Sequence, residues 1–161
     1  MRELPQKRLN KRIMSVWRIN AAIGVVITAI ILIVIAVVLT KMTSLPTTLV
    51  WGIAVGLIIL NAVVEIFVIP PIRYSRWRYE VTTTEVDIMR GLIIRSRVII
   101  PLVRVQHVET SKGPIMSQFN LSSVNISTAG ASFEIPGLEE DEAEQLRDQV
   151  SVLARIAQED I

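Results

Sequence analysis

Few side chains in this sequence are able to carry out covalent or acid–base chemistry. There is no cysteine, which excludes thiol nucleophiles, disulfides, zinc–thiolate sites and iron–sulfur clusters. The one histidine, His107, shares a strand face with Val105 and Glu109, where a hydrogen-bonded structural role is more frequent than a general base. The sequence contains no phosphate-binding glycine loop, His-Glu-x-x-His pair or nucleophile elbow. We therefore predict a protein with no catalytic residues, no cofactor and no metal.

Two pairs of residues in the apolar segment 49–69 have spacings that suit helix packing. Gly52 and Gly56 lie four residues apart, which allows another helix backbone to approach closely. Asn61 and Glu65 are also four apart, and polar groups in an apolar helix need hydrogen-bond partners. At about 100° per residue the two pairs point in nearly opposite directions. We predict that one pair meets the preceding apolar segment and the other a second protein.

The same residues have plainer explanations. Glycines four apart arise often by chance in apolar helices, and Glu65 lies close enough to the segment end to reach water or to pair with Arg73. A proton or ion path through Glu65 is a third possibility, and it would fit an accessory subunit of a transporter. It has thin support, because the preceding apolar segment contains no second ionisable residue.

Four arginines in the second half of the chain form a candidate surface for anionic lipid headgroups. Each cation near an anionic membrane contributes about 1 kcal/mol, so four together would orient a small domain. Ordinary solvated arginines are the alternative, and nucleic acid is a weaker one because no aromatic stacking surface accompanies them. The predicted headgroup contacts are Arg90, Arg95, Arg97 and Arg104.

Two long apolar segments must position these residues. Residues 19–39 and 49–69 are each long enough, at about 1.5 Å of helical rise per residue, to cross a hydrocarbon layer about 30 Å thick. The first exceeds the apolar run of a signal peptide and lacks a small-x-small cleavage site. Trp17, Trp51 and Trp77 lie near the predicted segment ends, where amphipathic rings favour the membrane interface. We therefore predict a multi-pass membrane protein with a two-helix hairpin.

The distribution of basic residues predicts the orientation of the hairpin. Lys and Arg in short flanking segments stay on the cytoplasmic side, so both termini are predicted to be cytoplasmic, in the plasma membrane of a bacterium. The predicted regions are a basic segment 1–18, a transmembrane hairpin 19–72 and a cytoplasmic domain 73–161. Six basic residues precede the first apolar segment, three follow the second and one lies between them: Arg2, Lys7, Arg8, Lys11, Arg12 and Arg18; Arg73, Arg76 and Arg78; and Lys41.

The second half of the chain alternates short β-rich runs with turn residues, which is typical of an antiparallel meander. After Pro136 and Gly137, an acidic first turn predicts a helix with one apolar face that is able to cover the sheet. The predicted strands are 78–82, 86–90, 92–100, 103–110, 121–128 and 131–135, and the apolar face consists of Ala143, Leu146, Val150, Leu153 and Ala157.

Four short segments, in order, give the second half a family resemblance. They are the Arg-Val-Gln-His-Val strand 104–108, the Gly-Pro-Ile-Met loop 113–116, the Phe-Asn-Leu segment 119–121 and the Ser-Thr-Ala-Gly turn 127–130. With two apolar segments before them, they resemble the bacterial PH-domain membrane proteins of the YdbS type. The resemblance implies an α+β membrane protein: a two-helix transmembrane hairpin, then a pleckstrin-homology-like antiparallel sheet or partly open barrel capped by a C-terminal helix.

The same resemblance implies a function. It points to a noncatalytic interaction or assembly subunit, as a homo-oligomer or together with a larger multi-span PH-domain relative, with a connection to envelope stress and antimicrobial-peptide tolerance. Two departures limit it: Ser117, Gln118 and Asn120 replace basic and glycine residues frequent around the Phe-x-Leu segment, and Thr83 to Glu85 lacks the basic residues of inositol-lipid sites. Phosphoinositide recognition is therefore not expected, and sensing of anionic headgroups is the alternative function.

Overall fold

A computed structural model of the protein describes residues 4–159. These residues form two compact units: a helical unit of residues 17–71, and a β-rich unit of residues 4–16 and 72–159, called the domain below. The helices are α1 (Ile13–Met42), α2 (Thr47–Val63), α3 (Ile69–Arg76), α4 (Pro114–Gln118) and α5 (Glu140–Glu159), with a π-helical turn at Val64–Val68 and a 3₁₀ turn at Leu102–Arg104. The strands are β1 (Arg78–Val81), β2 (Glu85–Arg90), β3 (Ser96–Pro101), β4 (Val105–Ser111), β5 (Leu121–Thr128) and β6 (Ser132–Glu139).

The helical unit has the length and surface of a transmembrane hairpin. The helices Ile13–Met42 and Thr47–Arg76 each contain 30 residues, and only 6% of the most apolar window of each is buried. An apolar surface of this kind needs lipid or other helices around it. The two predicted apolar segments lie within these helices, and the intervening turn is shorter than expected because α1 continues to Met42.

A proline pair explains the break in the second membrane helix. Pro70 and Pro71 have no N–H group to donate to the carbonyl groups four residues earlier, so regular α-helical bonding cannot continue through them. The π-helical turn Val64–Val68 precedes this point, and the N–H of Ile69 donates to the carbonyl of Val64, five residues back. The prolines themselves lie in the first turn of α3, where a missing N–H costs little.

The predicted meander is present as two three-stranded antiparallel sheets in the orders β1-β2-β3 and β4-β5-β6. Helix α5 packs on the second sheet and on the 3₁₀ turn that joins the sheets. Its predicted apolar face is confirmed: Ala143, Leu146 and Val150 are buried, and Leu153 is half-buried. The fold is therefore the expected PH-like arrangement of antiparallel sheets with a C-terminal helix.

The last strand is longer than the sequence predicts. We predicted that the strand stops before Pro136, but β6 continues through Pro136 and Gly137 to Glu139. The pairing register with β5 shifts between Ser122 and Val124, which shows a β-bulge with an extra residue on β6. Gly137 adopts φ +67°, a left-handed conformation that a glycine in a bulge provides without strain.

The N-terminal segment belongs to the domain, although the sequence assigned it to a separate basic region. Lys7 pairs with Tyr79 as an antiparallel bridge on β1, and the N–H of Asn10 donates to the carbonyl of Gly137 at 2.9 Å. Leu9 is buried, and its carbonyl accepts a hydrogen bond from the hydroxyl of Tyr74 at 3.0 Å. The segment thus joins β1 to β6.

Two further expectations for the domain are wrong. The ring of Trp77 is not exposed to lipid, as expected of an interface residue, but is buried in the domain core, with 3% of its surface exposed. The third strand begins at Ser96 rather than Leu92, so residues 91–95 form a loop between β2 and β3. Gly91 alone was expected to connect these strands.

Tyr79 gives the domain a predicted alkaline sensitivity. It is completely buried, and its hydroxyl donates to Oε1 of Glu142 at 3.0 Å. Burial, reinforced by the Glu142 carboxylate, raises the pKa of Tyr79 above its ordinary value. A raised pKa means that the folded form resists losing the proton, so this contribution to stability is complete below pH about 10 and falls as the pH rises further, by up to about 1.4 kcal/mol per pH unit.

We expect Tyr79→Phe to lose about 1 kcal/mol of unfolding free energy at neutral pH, because one hydrogen bond is removed. Above pH about 10, its stability is expected to fall less steeply than that of the unmodified protein. Pulse proteolysis of the full chain in increasing urea, at a series of pH values, measures both effects. Parallel pH curves for the two proteins would contradict the explanation.

Candidate functional site

The two membrane helices touch through small side chains near their connecting turn. Ala36 of α1 packs with Val50 and Ala54 of α2, and Trp51 lies against this cluster. Beside it an apolar cleft of about 230 Å³ is lined by side chains of both helices, including Leu32, Leu39, Leu49 and Ile53. The packing between α1 and α2 is therefore limited, and the cleft offers space for an acyl chain or another side chain.

Gly52 and Gly56 lie on the uncovered side of α2. Ala54 is two positions from each, about 200° around the helix, so the face that meets α1 is opposite to the two glycines. Both are exposed, and a Cβ atom added to either would meet no other atom within 4 Å. The first helix does not use this pair, and its predicted role in helix packing remains a prediction about another chain.

The polar pair lies on the other side of α2. Asn61 and Glu65 are seven and eleven positions after Ala54, which brings both within about 20° of its direction. Both side chains are half-buried, and neither has a hydrogen bond or ion pair within residues 17–71. Glu65 lies in the π-helical turn, an irregularity that is frequent at functional sites. The rotation per residue thus puts the glycines and the polar pair on opposite faces of the helix, and the role of Asn61 and Glu65 in helix packing stays a prediction.

Arg97, one of the four candidate lipid contacts, has a protein partner. Its Nη2 lies 2.6 Å and its Nε 3.0 Å from Oδ2 of Asp87, a residue that is only 6% exposed. The hydrogen bond to this carboxylate raises the pKa of Arg97. A buried carboxylate needs such a partner, so Arg97 stabilises the β2–β3 hairpin and its charge is largely offset.

The other three arginines do not form one surface. Arg90 ends β2 directly before the loop 91–95, Arg95 is the last residue of that loop, and both are exposed. Arg104 lies in the 3₁₀ turn beyond the opposite end of β3, beside the β5–β6 turn that includes Gly130. At about 3.3 Å per residue, the length of β3 separates it from the other two by roughly 20 Å.

The structure reveals an apolar loop tip that the sequence analysis missed. Ile93 and Ile94 are 88% and 83% exposed, whereas the next most exposed large apolar side chain in residues 72–159 is Val152 at 54%. The sequence predicts a strand for both residues, because β-branched residues favour strands. The sequence signal that indicates a loop here is Gly91 followed by three consecutive apolar residues, between two arginines.

Comparisons with known proteins identify the family. The bacterial PH domain family matches residues 18–154. The chain is also 41% identical, over 162 residues and 100% of both chains, to the UPF0699 transmembrane protein YdbS of Bacillus subtilis. This chain belongs to the bacterial PH-domain family.

No solved structure matches the chain significantly. The resemblance seen in the sequence is confirmed, and the apolar helices together with the relative's description identify a membrane protein. Neither description names a catalytic activity.

Proposed function

We propose that this bacterial PH-domain protein is a noncatalytic assembly subunit whose transmembrane hairpin binds a second copy or a larger multi-span relative. The observation that carries the proposal is the uncovered glycine face of α2. Gly52 and Gly56 are exposed on an apolar helix, opposite the contact with α1, with open space where side chains would be. Small residues at this spacing allow two helix backbones to come into van der Waals contact in lipid, where packing rather than the hydrophobic effect drives association.

The limited packing within the hairpin supports the same function. The cleft beside Ala36 and Ala54 is lined by apolar side chains, and the surrounding helix surfaces are largely exposed. Another helix on α2 would add contacts that the hairpin does not make by itself. In this proposal both termini lie in the cytoplasm, because the basic residues flank the hairpin and Lys41 lies alone near its turn.

Replacing both glycines tests the proposal. We expect Gly52→Leu with Gly56→Leu to weaken association by about 1–3 kcal/mol, because two leucines hold the helix backbones apart. Crosslinking in cells and molar-mass measurement after extraction in mild detergent record the loss of the complex. Gly24→Leu in α1 is the matched control, since a side chain there also meets no atom within 4 Å. A complex that survives the double substitution contradicts assembly through this face.

A second candidate function is binding to anionic lipid headgroups through Arg90 and Arg95. The specific observation in its favour is that both are exposed and lie at the two ends of the β2–β3 loop, whereas Arg97 is paired with Asp87. Hydrogen exchange of the full chain in nanodiscs tests it. The β2–β3 loop is expected to exchange more slowly in phosphatidylglycerol than in phosphatidylcholine, and high salt is expected to remove the difference. Equal exchange in both lipids at low salt would count against headgroup binding.

A further inference from the structure

We propose that Ile93 and Ile94 insert into the hydrocarbon edge of an anionic bilayer, with Arg90 and Arg95 at the headgroups. The inference rests on the second candidate function and deepens it, because it adds an apolar contact with the acyl chains. It does not depend on assembly through α2.

The exposure of the two isoleucines is the first argument. Both point almost entirely into solvent, at 88% and 83% exposure, whereas Leu92 beside them is half-buried. Two adjacent exposed isoleucines at a hairpin tip are unfavourable in water and gain free energy wherever water is excluded. The small tip suits insertion beside headgroups better than docking on a flat protein surface, since it offers only two apolar side chains.

Charge complementarity favours an anionic membrane as the binding partner of the loop tip. No acidic residue lies between Arg90 and Arg97 in the sequence, and the carboxylate of Asp87 binds Arg97. The tip therefore has two exposed arginines at its base. In such an arrangement, apolar side chains enter the membrane interface while the cations remain with the lipid phosphates.

Chain connectivity supplies the third argument. The domain resumes at residue 72, within the last turns of the helix Thr47–Arg76, so the chain connects it covalently to the membrane-spanning segment. A tether of this kind keeps the local concentration of lipid high, and a contact of two side chains and two charges is then sufficient for a populated bound state.

The test uses the full chain, because residues 4–16 form part of the domain. The sequence has no cysteine, so Ile93→Cys and Ile94→Cys each give one labelling site for an environment-sensitive fluorophore. The labelled protein is reconstituted in vesicles of phosphatidylethanolamine and phosphatidylglycerol, with or without lipids that carry a nitroxide on the acyl chain. The control sites are the exposed turn residues Thr83 and Ala129, labelled in the same way.

We expect blue-shifted emission and quenching by the acyl nitroxide at positions 93 and 94 but not at 83 or 129. Replacing Arg90 or Arg95 by glutamine is expected to lower the ratio of inserted to free loop about fivefold for each substitution. Emission at 93 and 94 equal to that at the controls overturns the proposal. Salt-sensitive exchange protection without acyl quenching also overturns insertion, while headgroup binding survives. A blue shift that occurs without quenching and grows with the protein-to-lipid ratio would show that the tip binds a second copy of the protein. That result overturns the proposal that the tip binds the membrane.

Discussion

Gly137→Ala is expected to destabilise the domain by about 2–5 kcal/mol. The substitution places a side chain at φ +67°, which costs about 1–2 kcal/mol for a non-glycine residue. Its Cβ would lie 2.6 Å from the Cβ and Cγ1 atoms of Ile13, a fully buried residue, and such overpacking costs about 1–3 kcal/mol. Pulse proteolysis of the full chain in increasing urea measures the loss.

Two further variants test this explanation of the loss. Gly130→Ala, in the β5–β6 turn, adds a Cβ that meets no atom within 4 Å, so we expect a change within about 0.5 kcal/mol. Ile13→Ala leaves a cavity and costs about 2–5 kcal/mol alone, but it removes Cγ1 and Cδ1, two of the three Ile13 atoms that the new Cβ overlaps, and leaves only Cβ. The double variant with Gly137→Ala is therefore expected to lose less than the sum of the two single losses. Strict additivity would refute the overlap as the cause.

The Gly137 contact has a consequence for the hairpin. Ile13 is the first residue of α1, and the carbonyl of Leu9, four residues earlier, accepts a hydrogen bond from the hydroxyl of Tyr74, near the end of the helix Thr47–Arg76. The domain therefore holds the chain on both sides of the hairpin. Loosening the N-terminal segment by Gly137→Ala is expected to expose residues 4–16 to protease before the sheets unfold.

Composition and periodicity were sufficient to predict the elements whose environment is uniform along their length. The membrane helices are apolar on every side, and the face of α5 repeats Ala143, Leu146 and Val150 at helical spacing. A proline followed by a glycine is compatible with the end of a strand and with a bulge inside one, so the sequence alone does not predict which of the two Pro136 and Gly137 form. The bulge is determined by the pairing with β5 and with the N-terminal segment.

The candidate site could be predicted only where a local rule controls it. The rotation of about 100° per residue placed Gly52 and Asn61 on opposite faces of α2, but the position of Ala36 on the other helix decides which face is covered. The partner of Arg97 depends on the register of the β2–β3 hairpin, in which Asp87 is opposite Ile99. That register follows from a five-residue loop, whereas the sequence suggested a turn at Gly91 alone.

Gly91→Ala is the second substitution with a large expected effect, because it changes the conformation of the loop that carries the two isoleucines. Gly91 adopts φ +137°, which only glycine adopts readily, and an added Cβ would overlap the carbonyl oxygen of Ile94. A backbone atom cannot move aside as a flexible side chain does, so the loop must rearrange. We expect a loss of about 1–3 kcal/mol and faster hydrogen exchange in residues 91–97, measured by mass spectrometry.

Gly113→Ala is the matched control, since a Cβ there meets no atom within 4 Å, and its exchange is expected to match that of the unmodified protein. Gly91→Ala leaves Arg90, Ile93, Ile94 and Arg95 in place, so it changes the shape of the tip without changing its composition. If insertion depends on the displayed shape, Gly91→Ala reduces acyl-nitroxide quenching at position 94 although every apolar and basic side chain remains. Quenching that persists while exchange rises would show that the composition of the tip is sufficient, because two isoleucines between two arginines then partition into the interface from a disordered loop.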